Sequence, residues 1–227
     1  MDFIKFKFRI FFIIVGNLIL ASSEYKILIL GERKMRINKY LSNMGICSRK
    51  EANRIIEDKR IIVNGVLCTP GQWVEETDEI LLDNKKVEKR ESVYIALNKP
   101  VGITCTAAKE VEGNIIDYIN YPEYIFPVGR LDKQSQGLII LTNDGELANK
   151  ILESDNKHEK EYIVTVDKPY NDDFIEKMSN GVDIGGVVTR KCKVVKVDDY
   201  TFNITLTQGL NKQIRRMSKA LGYTVTR

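Results

Sequence analysis

Histidine is almost missing: among 227 residues only His158 carries an imidazole. Ser-His-Asp and Cys-His triads therefore depend on that one side chain, and a histidine-rich zinc site cannot be assembled. The four cysteines, Cys47, Cys68, Cys105 and Cys192, lie 21, 37 and 87 residues apart. No Cys-x-x-Cys pair results, so they read as reduced thiols of a cytoplasmic protein, without metal or redox work. Glycine and proline, 15 and 5 in number, are too scarce for a disordered or collagen-like chain. There is no Walker A loop and no GxGxxG, which argues against phosphate-cradling nucleotide chemistry. The 43% apolar and 29% charged content describes a folded chain of one large or two small domains.

The formal net charge of +4 is unevenly spread. Residues 36–60 hold seven basic and three acidic side chains, and residues 208–227 hold five basic and none acidic. Between them, residues 61–207 hold 17 basic against 25 acidic. Two basic islands on an acidic body suggest a polyanion gripped at defined places.

Residues 1–34 form an extension with two readings. Lys5, Lys7 and Arg9, then the apolar run Ile10 to Ala21, then Ser22 and Ser23, have the layout of a secretory signal peptide; Gly16 and Asn17 break the run too early for a membrane span. The competing reading is message upstream of a true start at Met35, with Gly31-Glu32-Arg33-Lys34 encoded by a purine-rich ribosome-binding stretch. The cytoplasmic character of everything after Met35 favours the second.

From Met35 the pattern is regular. Ile37, Tyr40, Leu41 and Met44 share one helical face, and Gly45 can end that helix. Ser48 and Glu51 have capping-box spacing ahead of Ala52, Ile55 and Ile56. After Arg60, β-branched runs flank Asn64-Gly65, a tight-turn pair, and Ile80 to Leu82 forms another strand. Arg36, Lys39, Arg49, Lys50 and Arg54 fall on the helical part, either as a solvated face or as contacts to phosphates. The stretch MRINKYLSNMGICSRKEANRIIEDKRIIVNG resembles the S4 RNA-binding domain over residues 35–82, and the resemblance favours phosphate contacts. The polar run from Asp83 to residue 92 reads as a linker.

Residues 93–227 mix expected strands (Tyr94 to Leu97, Leu138 to Thr142, Tyr162 to Val166, Thr201 to Leu206) with expected helices (Glu146 to Leu152, Asp172 to Ser179, Asn211 to Leu221). Without βαβ spacing, this is an α+β domain with a mainly antiparallel sheet. Its most distinctive stretch is FPVGRLDKQSQGLIILTNDG, residues 126–145. Arg130 and Asp132 stand in a Gly-bounded loop that runs into an apolar strand, which places charge at the mouth of a buried element. On the residues alone, a structural Arg-Asp pair or an Asx turn is the favoured explanation.

That stretch resembles the catalytic motif of the pseudouridine synthases of the RsuA/RluF subgroup, which join an S4 domain to this catalytic domain. Lys99-Pro100-Val101-Gly102, Lys160-Glu161-Tyr162 and the run from Gln208 to Met217 are similar to its other signatures, in the same order. NKPVGITCT and the segment Asn156 to Tyr162 bring it nearest the RluF type, which acts on large-subunit ribosomal RNA. The resemblance implies an isomerase that breaks the N-glycosidic bond of a uridine, turns the uracil and joins C1′ to C5, with no cofactor and no metal. It implies Asp132 as the catalytic carboxylate, Arg215 as its ion-pair partner and Tyr162 against the target base. Ile214 would face the base, Arg130 would fill the vacated stack, and Lys212, Arg216 and Lys219 would contact phosphates. Flipping a nucleotide costs a few kcal/mol and one stacked base returns about 1 to 3 kcal/mol, so Tyr162 offsets much of that cost.

Ser135 stands where the motif more usually has Thr, and Gly222 to Arg227 is followed in the family by further strands. The chain is therefore expected to be C-terminally incomplete, with Tyr223 to Thr226 short of strand partners. The expected partners are RNA, namely 23S ribosomal RNA with transfer RNA as a second candidate, with no membrane and a monomeric state. A catalytically inactive S4-type RNA-binding protein is the alternative function. His158 reads as a surface residue.

Overall fold

A computed structural model describes residues 34–108, 110–153 and 158–227, together with the backbone of three short strands nearer the N-terminus. Those are β1 (Phe12–Val15), β2 (Leu18–Ala21) and β3 (Leu28–Ile29), paired antiparallel in that order. The side chains of that extension up to Arg33 lie outside the described residues, and so does the choice between leader and upstream message; Asn156 also lies outside them. The rest divides into two compact units. One gathers the described residues through Tyr40 with Arg49–Val87, the other Leu41–Ser48 with Glu88–Arg227.

In the first unit, β4 (Met35–Arg36) leads into α1 (Ile37–Asn43), and α2 (Arg49–Glu57) follows. Ile37 and Tyr40 on α1 and Ala52, Ile55 and Ile56 on α2 are buried, as the 3.6-residue spacing predicts. Asn38 donates from its amide to Asn53 Oδ1 at 2.9 Å, tying the helices together. The end of α1 lies in the stretch grouped with the second unit. There Gly45, at φ +73°, donates to the Ser42 carbonyl and Ile46 to that of Leu41, the paired bonds of a Schellman stop.

β5 (Ile61–Val63) and β6 (Val66–Leu67) make a hairpin on Asn64 and Gly65, whose φ values of +50° and +77° are those of a type I′ turn. The Asn64 side chain bonds Asp78 and the Glu79 N–H, fixing the next loop. β7 (Trp73–Val74) pairs with β4, and β8 (Ile80–Leu82) pairs with β5. The expected linker starts as structure: Asp83 and Asn84, both at positive φ, turn the chain into β9 (Lys85–Lys86) against β8. Arg60 holds that turn by a 2.8 Å bond from Nε to Asp83.

The second unit carries two three-stranded sheets. β10 (Tyr94–Lys99), β11 (Phe126–Val128) and β12 (Gly137–Thr142) form the order β10-β12-β11, with α3 (Ile115–Ile119) between β10 and β11 and α4 (Gly145–Leu152) after β12. Cys105, Ile115, Ile125, Ile139 and Leu141 are its core. β13 (Lys160–Thr165), α5 (Asp172–Asn180), β14 (Lys193–Lys196), β15 (Thr201–Leu206) and α6 (Gln213–Ala220) complete the chain, with sheet order β13-β15-β14. Every pairing between named strands is antiparallel. Val164, Phe202, Ile204 and Leu206 on the strands meet Phe174 and Met178 on α5 and Met217 on α6 in one apolar cluster. Gly181, at φ +98°, passes so close to Thr189 that a Cβ would sit 2.4 Å from its carbonyl oxygen.

The tail departs from expectation. Rather than lacking partners, it runs beside the end of β13: Val225 bridges Val166, Thr226 donates to the Thr165 carbonyl, and Asp167 donates to that of Thr224. Tyr223 packs on Phe174 at 4.5 Å between ring centroids. An open edge on β13 and an aromatic anchor give the tail its partner.

Candidate active site

The loop from Gly129 to Ser135 leaves β11 and returns as β12, with Asp132 half-buried at its centre. Leu131 leans on the core beneath the β10-β12-β11 sheet, and Ser135 N–H closes a turn on the Asp132 carbonyl at 2.9 Å. The segment after β10 reaches this loop twice. Leu131 N–H donates to Cys105 Sγ at 3.4 Å, and Gly102 N–H donates to the Lys133 carbonyl at 2.7 Å.

Lys99, which the sequence marks only as the start of a motif, is fully buried. Its ammonium donates to the carbonyls of Pro100 at 2.8 Å and Ile103 at 2.9 Å. Burial pushes its pKa down, while the negative charge of Asp132 pulls the other way. A lysine directly before proline at a strand end is the visible signal; its burial follows from the chain folding back over it.

Tyr162 lies on β13, half-buried, opposite Ile204 in register. Burial raises its phenol pKa, and the negative charge of Asp132 raises it further. The two groups therefore share one electrostatic neighbourhood. Ile214, on the first turn of α6, packs against the same core as Tyr162.

Arg215 reaches the loop, but not in the expected way. Its guanidinium donates to the Val225 carbonyl at 3.0 Å and to the Gln134 carbonyl at 3.5 Å. Among the described residues no ion pair within 4.0 Å joins it to Asp132. Its donors are aimed at two backbone oxygens, so it joins the tail to the loop two residues beyond the carboxylate. Arg130, Lys212 and Lys219 are exposed; Arg216 is exposed too, but one donor goes to the Ile184 carbonyl. Lys212 starts α6 at φ +48° with no side-chain cap. His158 is exposed, with Nε2 3.1 Å from the Lys150 carbonyl.

In the first unit, Arg49, Lys50 and Arg54 stand on the exposed face of α2, opposite Ala52, Ile55 and Ile56. Arg54 lies 3.7 Å from Glu51. Lys39 is half-buried on α1. Arg36 is committed to the fold: it bonds the Gly71 carbonyl and lies over the Trp73 ring at 4.6 Å, its cross-strand neighbour. Sequence spacing could not show this, because β4 and β7 are two residues each. Among the described residues no group of three or more His, Cys, Asp or Glu could hold a metal, and no helix is long and apolar enough to cross a membrane.

Residues 93–220 match the RNA pseudouridylate synthase family, and residues 35–80 match the S4 domain. The chain belongs to the RNA pseudouridylate synthase family. It is 52% identical over 199 residues to the dual-specificity RNA pseudouridine synthase RluF of Escherichia coli K12, spanning 86% of this chain and 69% of that one. To ribosomal large subunit pseudouridine synthase B of Bacillus subtilis it is 34% identical over 200 residues, spanning 84% and 82%. A crystal structure of a pseudouridylate synthase superposes with a TM-score of 0.61 at 29% identity, covering 85% of each chain. As a member of this family the chain is an isomerase acting on uridine in RNA, with an S4 RNA-binding domain ahead of an α+β catalytic domain.

Proposed function

We propose that this pseudouridine synthase isomerises a specific uridine of 23S ribosomal RNA, with transfer RNA as a second substrate, and that Asp132 is its catalytic carboxylate. The observation that carries the site is that Asp132 stands within electrostatic reach of both Lys99 and Tyr162, on a loop whose Gln134 carbonyl Arg215 also touches. The substrate reading rests on the likeness to RluF, a dual-specificity enzyme by name. The domains would be an extension over 1–34, the S4 domain over 35–82, a connector over 83–92 and the catalytic domain from 93. The enzyme would work in the cytoplasm as a monomer.

In this reading the uridine leaves its stack and Arg130, exposed beside Asp132, takes its place. Tyr162 and Ile214 receive the base on the rim of the β13-β15-β14 core. The Asp132 carboxylate attacks carbon or steadies the cationic sugar while the N1–C1′ bond breaks. The uracil turns, C5 bonds C1′, the C5 proton is removed and N1 takes one up, leaving composition unchanged. Lys212, Arg216 and Lys219, with Lys39, Arg49, Lys50 and Arg54 of the S4 domain, hold phosphates, while Arg36 serves the S4 fold. Mapping pseudouridines in 23S and transfer RNA from cells with and without this gene tests the substrate. One 23S position and one transfer RNA position should lose the modification; unchanged maps of both would refute it.

A further inference from the structure

Asp132 is held on both sides along the chain by a single turn. The residue before it, Leu131, gives its N–H to Cys105 Sγ at 3.4 Å, and the residue after it, Lys133, accepts the Gly102 N–H on its carbonyl at 2.7 Å. Both partners belong to the segment that leaves β10, whose shape is in turn locked by the buried Lys99 bonding the Pro100 and Ile103 carbonyls. Cys105 is 7% exposed and belongs to the same apolar cluster that Leu131 packs against. Its thiol therefore has neither solvent nor a disulfide partner to serve. What it supplies is an acceptor for the partly buried Leu131 N–H at the edge of that cluster.

We infer that Cys105 is a positioning residue of the pseudouridine synthase reaction: its sulfur, acting through the Leu131 N–H, sets where the Asp132 carboxylate stands. This rests on the reading of Asp132 as the catalytic carboxylate. Of the two bonds that bracket Asp132, the one from Gly102 is backbone to backbone, and only the Cys105 bond depends on a side chain. A reacting group displaced by about 1 Å loses on the order of 100-fold in rate, so a weak bond in this place governs turnover more than it governs stability.

The test compares Cys105→Val, Cys105→Ala and Cys105→Ser in the full chain, following pseudouridine formation on purified unmodified 23S RNA. Valine fills the space without an acceptor, alanine removes the acceptor and some volume, and serine keeps an acceptor. The valine and alanine variants should lose roughly 10- to 100-fold in kcat with KM for RNA within about 3-fold of the parent, and serine should recover most of the loss. Parental kcat in the alanine variant, a KM rise with kcat intact, or a serine variant as slow as alanine would each overturn the inference. Should valine prevent folding, the alanine and serine pair decides alone. Asp132→Asn is assayed alongside. Activity there would overturn the catalytic reading itself, whereas an inactive Asp132→Asn beside a fully active Cys105→Ala would overturn only the role of Cys105.

Discussion

Tyr162 shows how a single side chain reports on the site around it. Its phenol is held above the ordinary value of 10.0, first by burial and then by the charge of Asp132. The folded chain therefore keeps this proton over a window above about pH 10 in which the unfolded chain has released it, and stability falls as pH rises through that window. Denaturant unfolding at mildly and strongly alkaline pH should show a smaller loss for Tyr162→Phe than for the parent. Asp132→Asn should reduce the loss partly, since burial remains. Equal losses in all three proteins would separate Tyr162 from Asp132. Asp132 and Tyr162 are legible in the sequence because each sits in a motif of fixed wording. The actual partners of Arg215 are not, because a guanidinium has several donors and the fold offers it the carbonyls of Gln134 and Val225 where the resemblance implied Asp132. The bond made by Cys105 is not legible either: its stretch NKPVGITCT marks the family, but a lone thiol looks like core until the chain that covers it is known.

At the scale of elements, periodicity works where elements are long. β12, α4, α5 and β15 fall within one residue of the ranges expected from apolar spacing, and the Asn64-Gly65 turn is where its dipeptide places it. β4, β7, β9, β11 and α3 span two to five residues and offer no period to read. α3 is defined by its ends instead, with Asn114 capping the N–H groups of Ile116 and Asp117 and Asn120 in the left-handed region at its close. The buried stripe of α2 fixes which way Arg49, Lys50 and Arg54 face, so replacing all three with alanine should leave the helix in place and weaken RNA binding. The log-log salt dependence should flatten by about one unit for each phosphate no longer neutralised. An unchanged slope in filter-binding titrations across a salt series would mean that these side chains only face solvent.

At the scale of the whole chain, the two basic islands read from sequence fall on defined elements. The island at 36–60 supplies the exposed face of α2, and the island at 208–227 supplies α6 and the tail, from which Arg215 reaches the Asp132 loop. What composition could not reveal is that Leu41–Ser48, sequence of the S4 module, clusters with the second unit, where the Met44 carbonyl accepts the Arg90 N–H. The central claim is that Asp132 does chemistry and not architecture. Asp132→Asn keeps the shape but lacks the charge needed to attack carbon or steady a cationic sugar. Asp144→Asn is its control, because Asp144 caps α4 through the N–H groups of Glu146 and Leu147, a role asparagine also fills. The decisive measurement is pseudouridine formed on purified unmodified 23S RNA by the two variants, with RNA affinity measured in parallel. Asp132→Asn should bind within about 3-fold of the parent and form no product above background, while Asp144→Asn turns over nearly normally. Substantial product from Asp132→Asn would contradict the account.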